Sequence, residues 1–506
     1  MFTGHDTTIE RPTSALTVPG GGSPVWRVPR PDGSPLDRLD PERSERIEEL
    51  AVRLLESDED LRDPRWRRRH IAPGLGTGPA LIFEDHSEIP MAPPDSHSLE
   101  YRMAWFARDL DLIGLAATRV PSFERHLSDD LALDRFGVVA PAPQPGVPLA
   151  RRFADDRIAM DALTERASAG ELTIVPYIST RSVWRLAEQL AQLTGGTVRV
   201  AGPPPALTER VNNKLWFAQR VRELLGPGAL PRTLVASDPR ELTAHLGALA
   251  PRGGRLVVKV PSGSGGRGIV AFEATTVPPD RVETTVRWLE AVLSRGGWDG
   301  RYPLVVGTWD DPVVASPSVQ VWIPHPGEGP PLVEAIFDQV LAEVRFVGAS
   351  TTRLPVRVQA RLRSDALHLA ELLQRLGYFG RCSFDAVLVG TRPSTARIHW
   401  LECNGRWSSV STASTAVKRV VGIRPDRPFV VVQTESPTGP ERSFEEVLAM
   451  LDGDSFHRRR DGTGALVLSP RRVMSGTGLN MAVIGRSAAE AQDAARRLLD
   501  RFSQKG

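Results

Sequence analysis

A glycine-rich loop between two apolar runs is the feature of this sequence that most limits its fold. Residues 262–268 read Ser-Gly-Ser-Gly-Gly-Arg-Gly, between Val257-Val-Lys-Val260 and Ile269-Val-Ala-Phe272. The glycines let backbone N–H groups turn toward an anion without a Cβ in the way. The order strand, loop, strand argues against dinucleotide-binding and Walker loops, because each of those begins a helix. A protein kinase is also excluded, since Lys259 precedes the loop and no His-Arg-Asp segment occurs.

Lysine is rare in this chain and marks the same region. Only Lys214, Lys259, Lys418 and Lys505 are found among 63 basic residues, and all the others are arginine. A compact ammonium can approach a phosphate where the broad guanidinium does not fit. We therefore predict that Lys214 and Lys259 bind phosphate. Chance survival of two surface lysines is the alternative, and the lysines alone do not decide between the two.

Two later segments, 379–389 and 399–406, both have polar residues at every second position. Because side chains alternate along a strand, each segment predicts a strand with one polar face. The polar residues are Arg381, Ser383 and Asp385 on the first strand and Glu402, Asn404 and Arg406 on the second. If the strands pair, Asp385, Glu402 and Asn404 come together as hard oxygen ligands suited to Mg²⁺. The alternative is a pair of edge strands with a solvated polar face.

In their order along the chain, these segments resemble the ATP-grasp ligases. In that superfamily one lysine precedes the N-terminal lobe, and a second precedes a flexible glycine-rich flap. An acidic residue, followed later by Glu-x-Asn, binds magnesium. The corresponding residues here are Lys214, Lys259, the loop 262–268, Asp385, Glu402 and Asn404. The resemblance implies an α/β fold with α+β lobes, preceded by an α/β pre-ATP-grasp domain, and it implies ATP and Mg²⁺ as cofactors, with two ions expected.

More narrowly, three stretches resemble the pheganomycin-type peptide ligases. They are Trp105-Phe-Ala-Arg-Asp-Leu-Asp111, Ile174-Val-Pro-Tyr-Ile178 followed by Arg185-Leu-Ala187, and Glu402-Cys-Asn-Gly-Arg-Trp407. The likeness spans roughly residues 80–500 and implies a carboxylate–amine ligase that forms an acyl phosphate and releases ADP and phosphate. The expected substrates are a small carboxylic acid or amino acid derivative and the amine of an amino acid or peptide, joined in the biosynthesis of a modified peptide natural product. Alternatives are a ligase with thiol or carboxy-phosphate chemistry and a non-catalytic nucleotide-binding scaffold.

The resemblance also assigns residues to ATP. They are Lys214, Lys259, Ser262, Gly263, Ser264, Gly265, Gly266, Gly268, Val306, Thr308, Trp309 and Gln320. Many members carry a glutamate on the hinge strand, where this chain has Gly307, so adenine is expected to rest on backbone groups and apolar contacts. The ribose contact is left open between Asp310 or Asp311 and Gln320.

Arg406 is the first candidate for a catalytic residue. It follows Asn404 by two positions, and we expect it to stabilise charge on the transferring phosphoryl group and the acyl phosphate. Arg381 is a second, weaker candidate. For both arginines the alternative is an ordinary salt bridge, and for Arg381 that alternative is favoured in a chain so rich in arginine.

Composition indicates which classes of partner and which cellular compartment to expect. A net charge of +2 is too close to neutral to indicate a nucleic acid partner. Cys382 and Cys403 are the only cysteines, so we expect small buried residues in a reducing compartment rather than a disulfide framework. No signal peptide or long apolar span is present, which predicts a cytoplasmic protein without a membrane partner. The assembly is left open, with a homodimer as the one candidate.

Composition also suggests four segments. Residues 1–40 are rich in Pro, Gly and Ser and are predicted to be disordered. Residues 41–200 begin with a helix at 42–61 and continue with alternating strands and helices, typical of a mainly parallel sheet, which we assign to the pre-ATP-grasp domain. The proline-rich breaks near 202–205 and 424–439 then delimit the ATP-grasp core, 201–423, and a small C-terminal α/β domain, 424–506.

Overall fold

The computed structural model describes residues 41–504 except 67, 69, 94, 95, 264, 278–280, 423–426, 436 and 457–461. The predicted disorder of residues 1–40 and the flap position Ser264 lie outside this set.

The helices are α1 (Pro41–Ser57), α2 (Pro121–Arg125), α3 (Leu149–Asp155), α4 (Arg157–Ser168), α5 (Arg181–Thr194), α6 (Pro205–Val211), α7 (Lys214–Leu225), α8 (Pro239–Leu249), α9 (Val282–Arg295), α10 (Val356–Arg375), α11 (Ser409–Val421), α12 (Phe444–Leu451), α13 (Arg471–Met474) and α14 (Ala488–Gln504). The strands are β1 (Ile71–Pro73), β2 (Ala80–Phe83), β3 (Leu112–Gly114), β4 (Gly137–Val139), β5 (Leu172–Pro176), β6 (Val198–Val200), β7 (Thr233–Ala236), β8 (Arg255–Lys259), β9 (Ile269–Glu273), β10 (Leu304–Thr308), β11 (Val313–Ala315), β12 (Pro317–Ile323), β13 (Leu332–Ala342), β14 (Arg345–Thr351), β15 (Gly380–Val389), β16 (Arg397–Asn404), β17 (Phe429–Gln433), β18 (Gly464–Val467) and β19 (Asn480–Ile484).

The first domain is built on a six-stranded sheet in the order β1-β6-β5-β2-β3-β4, and every pair in it is parallel. Strands β2 and β5 at its centre are buried at every position, because helices cover both faces. Trp184 on α5 and Phe153 on α3 pack into one side of this core. The parallel sheet predicted from the alternating pattern is confirmed.

The second unit is a four-stranded antiparallel sheet in the order β7-β10-β8-β9, backed by α8 and α9. Leu242 and Leu246 on α8 and Leu289 on α9 are fully buried against it. The strands β8 and β9 form a hairpin, with Lys259 paired to Ile269 at the end nearest the connecting segment. The glycine-rich segment 262–268, called the flap below, is therefore the turn of this hairpin.

The third unit is a nine-stranded sheet in which β12, β15 and β16 lie side by side. Helix α10 covers one face through Leu362, Ala366 and Leu369, which are buried beneath it. The last strands of the chain join the same sheet, because β17 pairs with β14 and β19 pairs with β17. Residues after 426 therefore extend the core sheet.

Two predicted elements end earlier than the sequence indicated. The helix predicted at 42–61 stops at Ser57, and a short 3₁₀ turn, Glu59–Arg62, follows it. The strand predicted at 399–406 stops at Asn404, so Arg406 lies beyond the strand and not on its polar face. Among the described residues, helices that combine the length and the apolar character needed to cross a bilayer are absent.

Candidate active site

A cleft of about 690 Å³ lies where the three units meet. One end, called the lysine end, contains Lys214, Lys259, the flap, Asp385 and Glu402. The other, called the histidine end, is lined by His86, Arg102, Tyr177, Gln433 and Arg472. The first three of these come from the first domain, and the last two from the C-terminal part of the chain. The cleft thus brings together residues that are nearly 400 positions apart.

Both predicted phosphate lysines lie at the lysine end. Asn213 caps α7 by accepting hydrogen bonds from the N–H groups of Leu215 and Trp216, so Lys214 is the first helical residue. The N–H of Lys214 donates to the carbonyl of Pro261 at 2.9 Å, which ties the helix to the start of the flap. Burial, together with the nearby charge of Lys214, lowers the pKa of Lys259 below its usual value. These two cations lie close together and lack enough anionic neighbours.

The flap has a backbone that only glycine accepts easily. Gly265 and Gly266 have φ values of +63° and +76°. A Cβ on Gly266 would lie 2.6 Å from the carbonyl oxygen of Val344, in the turn between β13 and β14. Four of the predicted flap glycines, 263, 265, 266 and 268, line the cleft. The flap is therefore packed over the cleft against the nine-stranded sheet.

Asp385 and Glu402 are neighbours in the β15–β16 pair, as the alternation predicted. Ser318 Oγ donates to Asp385 Oδ1 at 2.6 Å, and Asn404 Nδ2 donates to Asp385 Oδ2 at 2.9 Å. Burial and the like charge of Glu402 raise the pKa of Asp385 to about 6. Burial has the same effect on Glu402 but is outweighed by Lys214, whose Nζ lies 2.8 Å from Glu402 Oε2, so the pKa of Glu402 is lowered.

These residues fit a divalent cation that needs oxygen ligands. Burial and the repulsion between the two adjacent carboxylates raise the pKa of Asp385, and a cation between them would remove that repulsion. The amide of Asn404 turns its nitrogen to Asp385 and leaves Oδ1 for a cation. Within the described ranges, no group of three or more His, Cys, Asp or Glu residues could hold a metal. This set, with two carboxylates and an amide, suits an ion whose other ligands come from a nucleotide or water.

The residues predicted to contact adenine, Val306, Thr308 and Trp309, differ in whether they reach the cleft. Trp309 lines the cleft, and the guanidinium of Arg255 lies 5.1 Å from its ring centre. Thr308 is half-buried at the end of β10. Val306 is fully buried in the core of its lobe and pairs with both β7 and β8, so its side chain does not reach the cleft. Of the predicted adenine contacts, Trp309 is the one the structure brings to the cleft wall.

Two candidates for the ribose contact, Gln320 and Asp310, make hydrogen bonds within the protein. Gln320 is only 2% exposed; its Nε2 donates to Ser318 Oγ at 2.9 Å, and its Oε1 accepts from Ser408 Oγ at 3.0 Å. It lies behind the cleft and orients Ser318, which in turn holds Asp385. Asp310 Oδ2 hydrogen-bonds to His399 Nδ1 at 2.9 Å. Gln320 lies on the predicted strand, but its side chain is buried beside Ser408 and does not line the cleft, because a polar residue in a strand can also serve a buried hydrogen-bond chain.

The two arginine candidates separate clearly. Arg406 lines the cleft, and its Nη1 donates to the neutral Oδ1 of Asn212 at 2.6 Å. Arg381 is buried in an ion pair with Glu334, and its guanidinium lies 4.6 Å from the ring centre of Trp407. Arg406 keeps its charge available to a ligand, whereas Arg381 forms the salt bridge considered as the alternative.

Sequence reasoning missed the histidine end. Glu84, Asp85 and His86 directly follow β2, and Tyr177 directly follows β5, the parallel neighbour of β2. Polar residues at the carboxyl ends of adjacent parallel strands are the usual place for ligand contacts in such sheets. That signal was present in the sequence. The partners from the other end of the chain, Gln433 and Arg472, gave no comparable local signal.

Comparisons with known proteins agree with this architecture. Residues 100–192 match the family described as Pre ATP-grasp domain. Similar solved structures include a biotin carboxylase–β,γ-ATP complex from Campylobacter jejuni (TM-score 0.51, 11% identity, 84% of this chain and 91% of that chain). Another is the biotin carboxylase domain of the Hydrogenobacter thermophilus 2-oxoglutarate carboxylase with MgADP, ADP and bicarbonate (TM-score 0.51, 12% identity, 84% and 89%). A third is Rhizobium etli pyruvate carboxylase with acetyl coenzyme A (TM-score 0.50, 14% identity, 83% and 37%).

No curated protein sequence matches the chain. At these identities the similar structures show the fold alone. Together with the matched domain they confirm the predicted fold class, a mixed α/β chain in which a pre-ATP-grasp domain precedes an ATP-grasp fold.

Proposed function

We propose that this protein is an ADP-forming ligase that uses ATP to join a carboxylate to an amine. One observation carries the proposal. Lys214, Lys259 and the flap glycines face the pair Asp385 and Glu402 across one cleft. Each of these features has a separate use toward a nucleoside triphosphate.

The charges of the lysine end fit a polyanion. Lys214, Lys259 and Arg406 line it, and Arg267 on the flap and Arg345 on β14 reach the same cleft. Their acidic neighbours there are Asp385 and Glu402, and the adjacent carboxylates suit a divalent cation. A triphosphate with bound Mg²⁺ would satisfy this excess positive charge and relieve the repulsion between the two carboxylates.

The chain can support phosphoryl transfer by position and charge. An oxygen of the substrate carboxylate forms a bond to the γ-phosphorus of ATP. At the same time the bond between that phosphorus and the β,γ-bridging oxygen breaks, which gives an acyl phosphate and ADP. Lys214 and Lys259 hold the phosphates, and flap N–H groups cover them. Arg406 supplies positive charge beside the transferring group. Mg²⁺, held by Asp385, Glu402 and Asn404, would neutralise charge on the phosphate oxygens.

The narrower proposal is a peptide ligase that acts on a small carboxylic acid or amino acid derivative in the biosynthesis of a modified peptide. Its support is the resemblance in the three stretches around Trp105, Tyr177 and Arg406, two of which line or adjoin the histidine end. A thiol acceptor or carboxy-phosphate chemistry would use the same lysine end. A non-catalytic scaffold is disfavoured, because both lysines, the flap and both carboxylates are retained in one cleft.

The products formed from ATP test the proposal. Enzyme, MgATP and a panel of amino acids, N-acyl amino acids and small carboxylic acids are incubated with hydroxylamine, which captures activated acyl groups. We expect a hydroxamate together with equal amounts of ADP and phosphate for a subset of the acids. AMP and pyrophosphate would refute the acyl-phosphate route, since they indicate attack at the α-phosphorus.

A further inference from the structure

Glu84, His86 and Arg102 form a buried cluster in the wall of the histidine end. Arg102 and Glu84 are each 1% exposed, and they are joined by two hydrogen bonds, one of them from Arg102 Nε to Glu84 Oε2 at 3.1 Å. His86 Nε2 lies 2.7 Å from Glu84 Oε1. His86 and Arg102 both line the cleft, whereas Glu84 lies behind them. The roles assigned above to the lysine end leave this cluster without a use.

From this geometry we propose that His86 is the general base that removes a proton from the acceptor amine. The inference rests on the proposed function and deepens it, since it specifies an acceptor that arrives as an ammonium ion. A thiol acceptor bound as the thiolate, or bicarbonate, would bring no ammonium proton to remove. His86 therefore carries information about the acceptor that the lysine end does not.

The carboxylate fixes the tautomer of His86. Although burial opposes it, the charge of Arg102 and the contact with His86 lower the pKa of Glu84, so Glu84 is ionised and can only accept hydrogen bonds. His86 Nε2 must then carry the proton that is donated to Glu84. Nδ1 consequently holds the lone pair, and no protein atom among the described residues bonds to it. A base oriented by a third group behind it is the arrangement used for proton transfer in many active sites.

Arg102 completes the cluster on the other side of Glu84. Glu84 is already neutralised by Arg102, which is itself buried and approaches the ring of Tyr177, at 5.5 Å from its centre. The imidazole ring can take a proton from the ammonium ion and then pass it to solvent through the open cleft.

His86 is also held in position relative to Arg406. Its ring stacks on Tyr177, with ring centres 4.5 Å apart and planes 18° from parallel. The carbonyl of Tyr177 accepts a hydrogen bond from the N–H of Trp407 at 3.0 Å, and Trp407 directly follows Arg406. Two contacts thus connect His86 to the arginine proposed to lie beside the acyl phosphate. The stacked ring cannot turn away from the cleft without losing both the stacking and the bond to Glu84.

The step balances as follows. His86 Nδ1 takes one proton from R–NH₃⁺ and leaves R–NH₂ with a free electron pair. That pair forms the C–N bond to the acyl carbon, and the C–O bond to phosphate breaks with its electrons on the phosphate oxygen. The nitrogen gives its second proton to the departing phosphate, which leaves as HPO₄²⁻. His86 returns its proton to water, so no other reactant is needed.

The test compares two acceptors in the variant His86→Gln. Glutamine keeps an N–H donor for Glu84 but cannot accept a proton, so the cluster is preserved while the base is removed. At pH 7, α-amino groups of peptides are mostly protonated, whereas hydroxylamine is mostly neutral and needs no base. With the acid that gives most hydroxamate in the panel, we expect amide formation with amino acids and dipeptides to fall by about 10²-fold or more. Hydroxamate formation should change by less than about threefold.

His245→Gln is the matched control, because His245 is an exposed histidine on α8 whose Nε2 bonds to the carbonyl of Val235. His86→Asn, which shortens the side chain, provides a second variant if His86→Gln folds poorly. Equal losses with both acceptors, or no loss with either, would overturn the role of His86. Hydroxamate formation by the wild type without any amide product would overturn it too. If the wild type forms neither product from any acid, the proposed function itself fails.

Discussion

The two ends of the cleft differ in how their charges are balanced. At the lysine end, Lys259 and Arg406 make no ion pair among the described residues, and Asp385 and Glu402 stand side by side. At the histidine end, charges are paired within the protein, as in Glu84–Arg102 and Arg472–Glu435. One end is electrostatically incomplete, and the other is satisfied without a ligand.

The difference has a physical cause. A buried charge is tolerated only when it is paired, and the pairing can come from the protein or from a ligand. At the lysine end, burial and the nearby charge of Lys214 lower the pKa of Lys259, and a bound polyanion would supply the missing negative charge. The histidine end joins three parts of the chain and must be stable before any ligand binds. Mutations should therefore change ligand binding and turnover at the first end and folding stability at the second.

The largest effect is expected at the carboxylates of the lysine end. Asp385→Asn and Glu402→Gln each remove a charge from the proposed Mg²⁺ site, so turnover should fall by about 10³-fold. Thermal stability should change little in Asp385→Asn, since burial and the charge of Glu402 disfavour ionised Asp385, and should fall somewhat more in Glu402→Gln, which loses the ion pair with Lys214. Initial rates of ADP release and thermal scans measure both quantities. Asp299→Asn, an exposed carboxylate beside Arg301, is the control. Near-normal turnover in both site variants would contradict the metal assignment.

The same contrast explains what the sequence could predict. The lysine end is encoded by short segments in which residue type and spacing carry the chemistry, such as the flap and the pair Glu402 and Asn404. The starts of helices α7 and α8 are defined locally, because Asn213 and Asp238 cap them. Adjacent strands with alternating polar residues brought Asp385 beside Glu402. Local patterns were sufficient there.

Local patterns failed where burial decides. Val306 and Gln320 lie on predicted strands, yet both are buried and neither lines the cleft, and no sequence period tells which strand positions are covered. At the histidine end, Arg102 meets Gln433 and Ser409 across more than 300 positions. Such pairing depends on how whole domains pack. It becomes visible only when the three units are assembled.

The second prediction concerns stability at the histidine end. Glu84→Gln should lower the free energy of unfolding by roughly 3–5 kcal/mol, because Arg102 then keeps a buried charge without its partner. Urea denaturation followed by fluorescence measures the change. In the control Glu48→Gln, the exposed pair with Arg375 is broken, and the loss should be less than about 1 kcal/mol. Similar losses of unfolding free energy in the two variants would show that the pair Glu84–Arg102 stabilises the fold no more than an exposed ion pair does.

The third prediction uses Glu100, which lies at the interface between the first domain and α13. Arg471 Nε donates to Glu100 Oε1 at 2.8 Å, yet burial raises the pKa of Glu100 from 4.5 to about 7. The folded state therefore binds this proton more tightly than the unfolded chain does, and its stabilising effect is complete below about pH 4.5. It is lost as the pH rises toward 7, by at most about 3 kcal/mol at 1.36 kcal/mol per pH unit.

Glu100→Gln cannot titrate, so the pH dependence of the difference between wild type and variant isolates this group. We expect the variant to gain stability relative to the wild type between pH 4.5 and 7, measured by urea denaturation at several pH values. A difference that stays constant over this range would show that Arg471 keeps Glu100 ionised. In that case the histidine end would be balanced by ion pairs alone.

The smallest effect is expected for lysine replaced by arginine at the lysine end. Lys214→Arg and Lys259→Arg keep the charge but add bulk beside Glu402 and beneath the flap, where the two cations already lie close together. We expect the dissociation constant for MgATP, measured by calorimetry, to rise by about tenfold, or about 1.4 kcal/mol. Lys418→Arg is the matched control, because Lys418 is half-exposed outside the cleft and contacts Glu334 at 3.8 Å. Since arginine replaces lysine almost everywhere else in this chain, an unchanged constant in both site variants would favour chance survival of these lysines. It would also remove the strongest argument that phosphate binding at the lysine end requires the compact shape of lysine in addition to its positive charge.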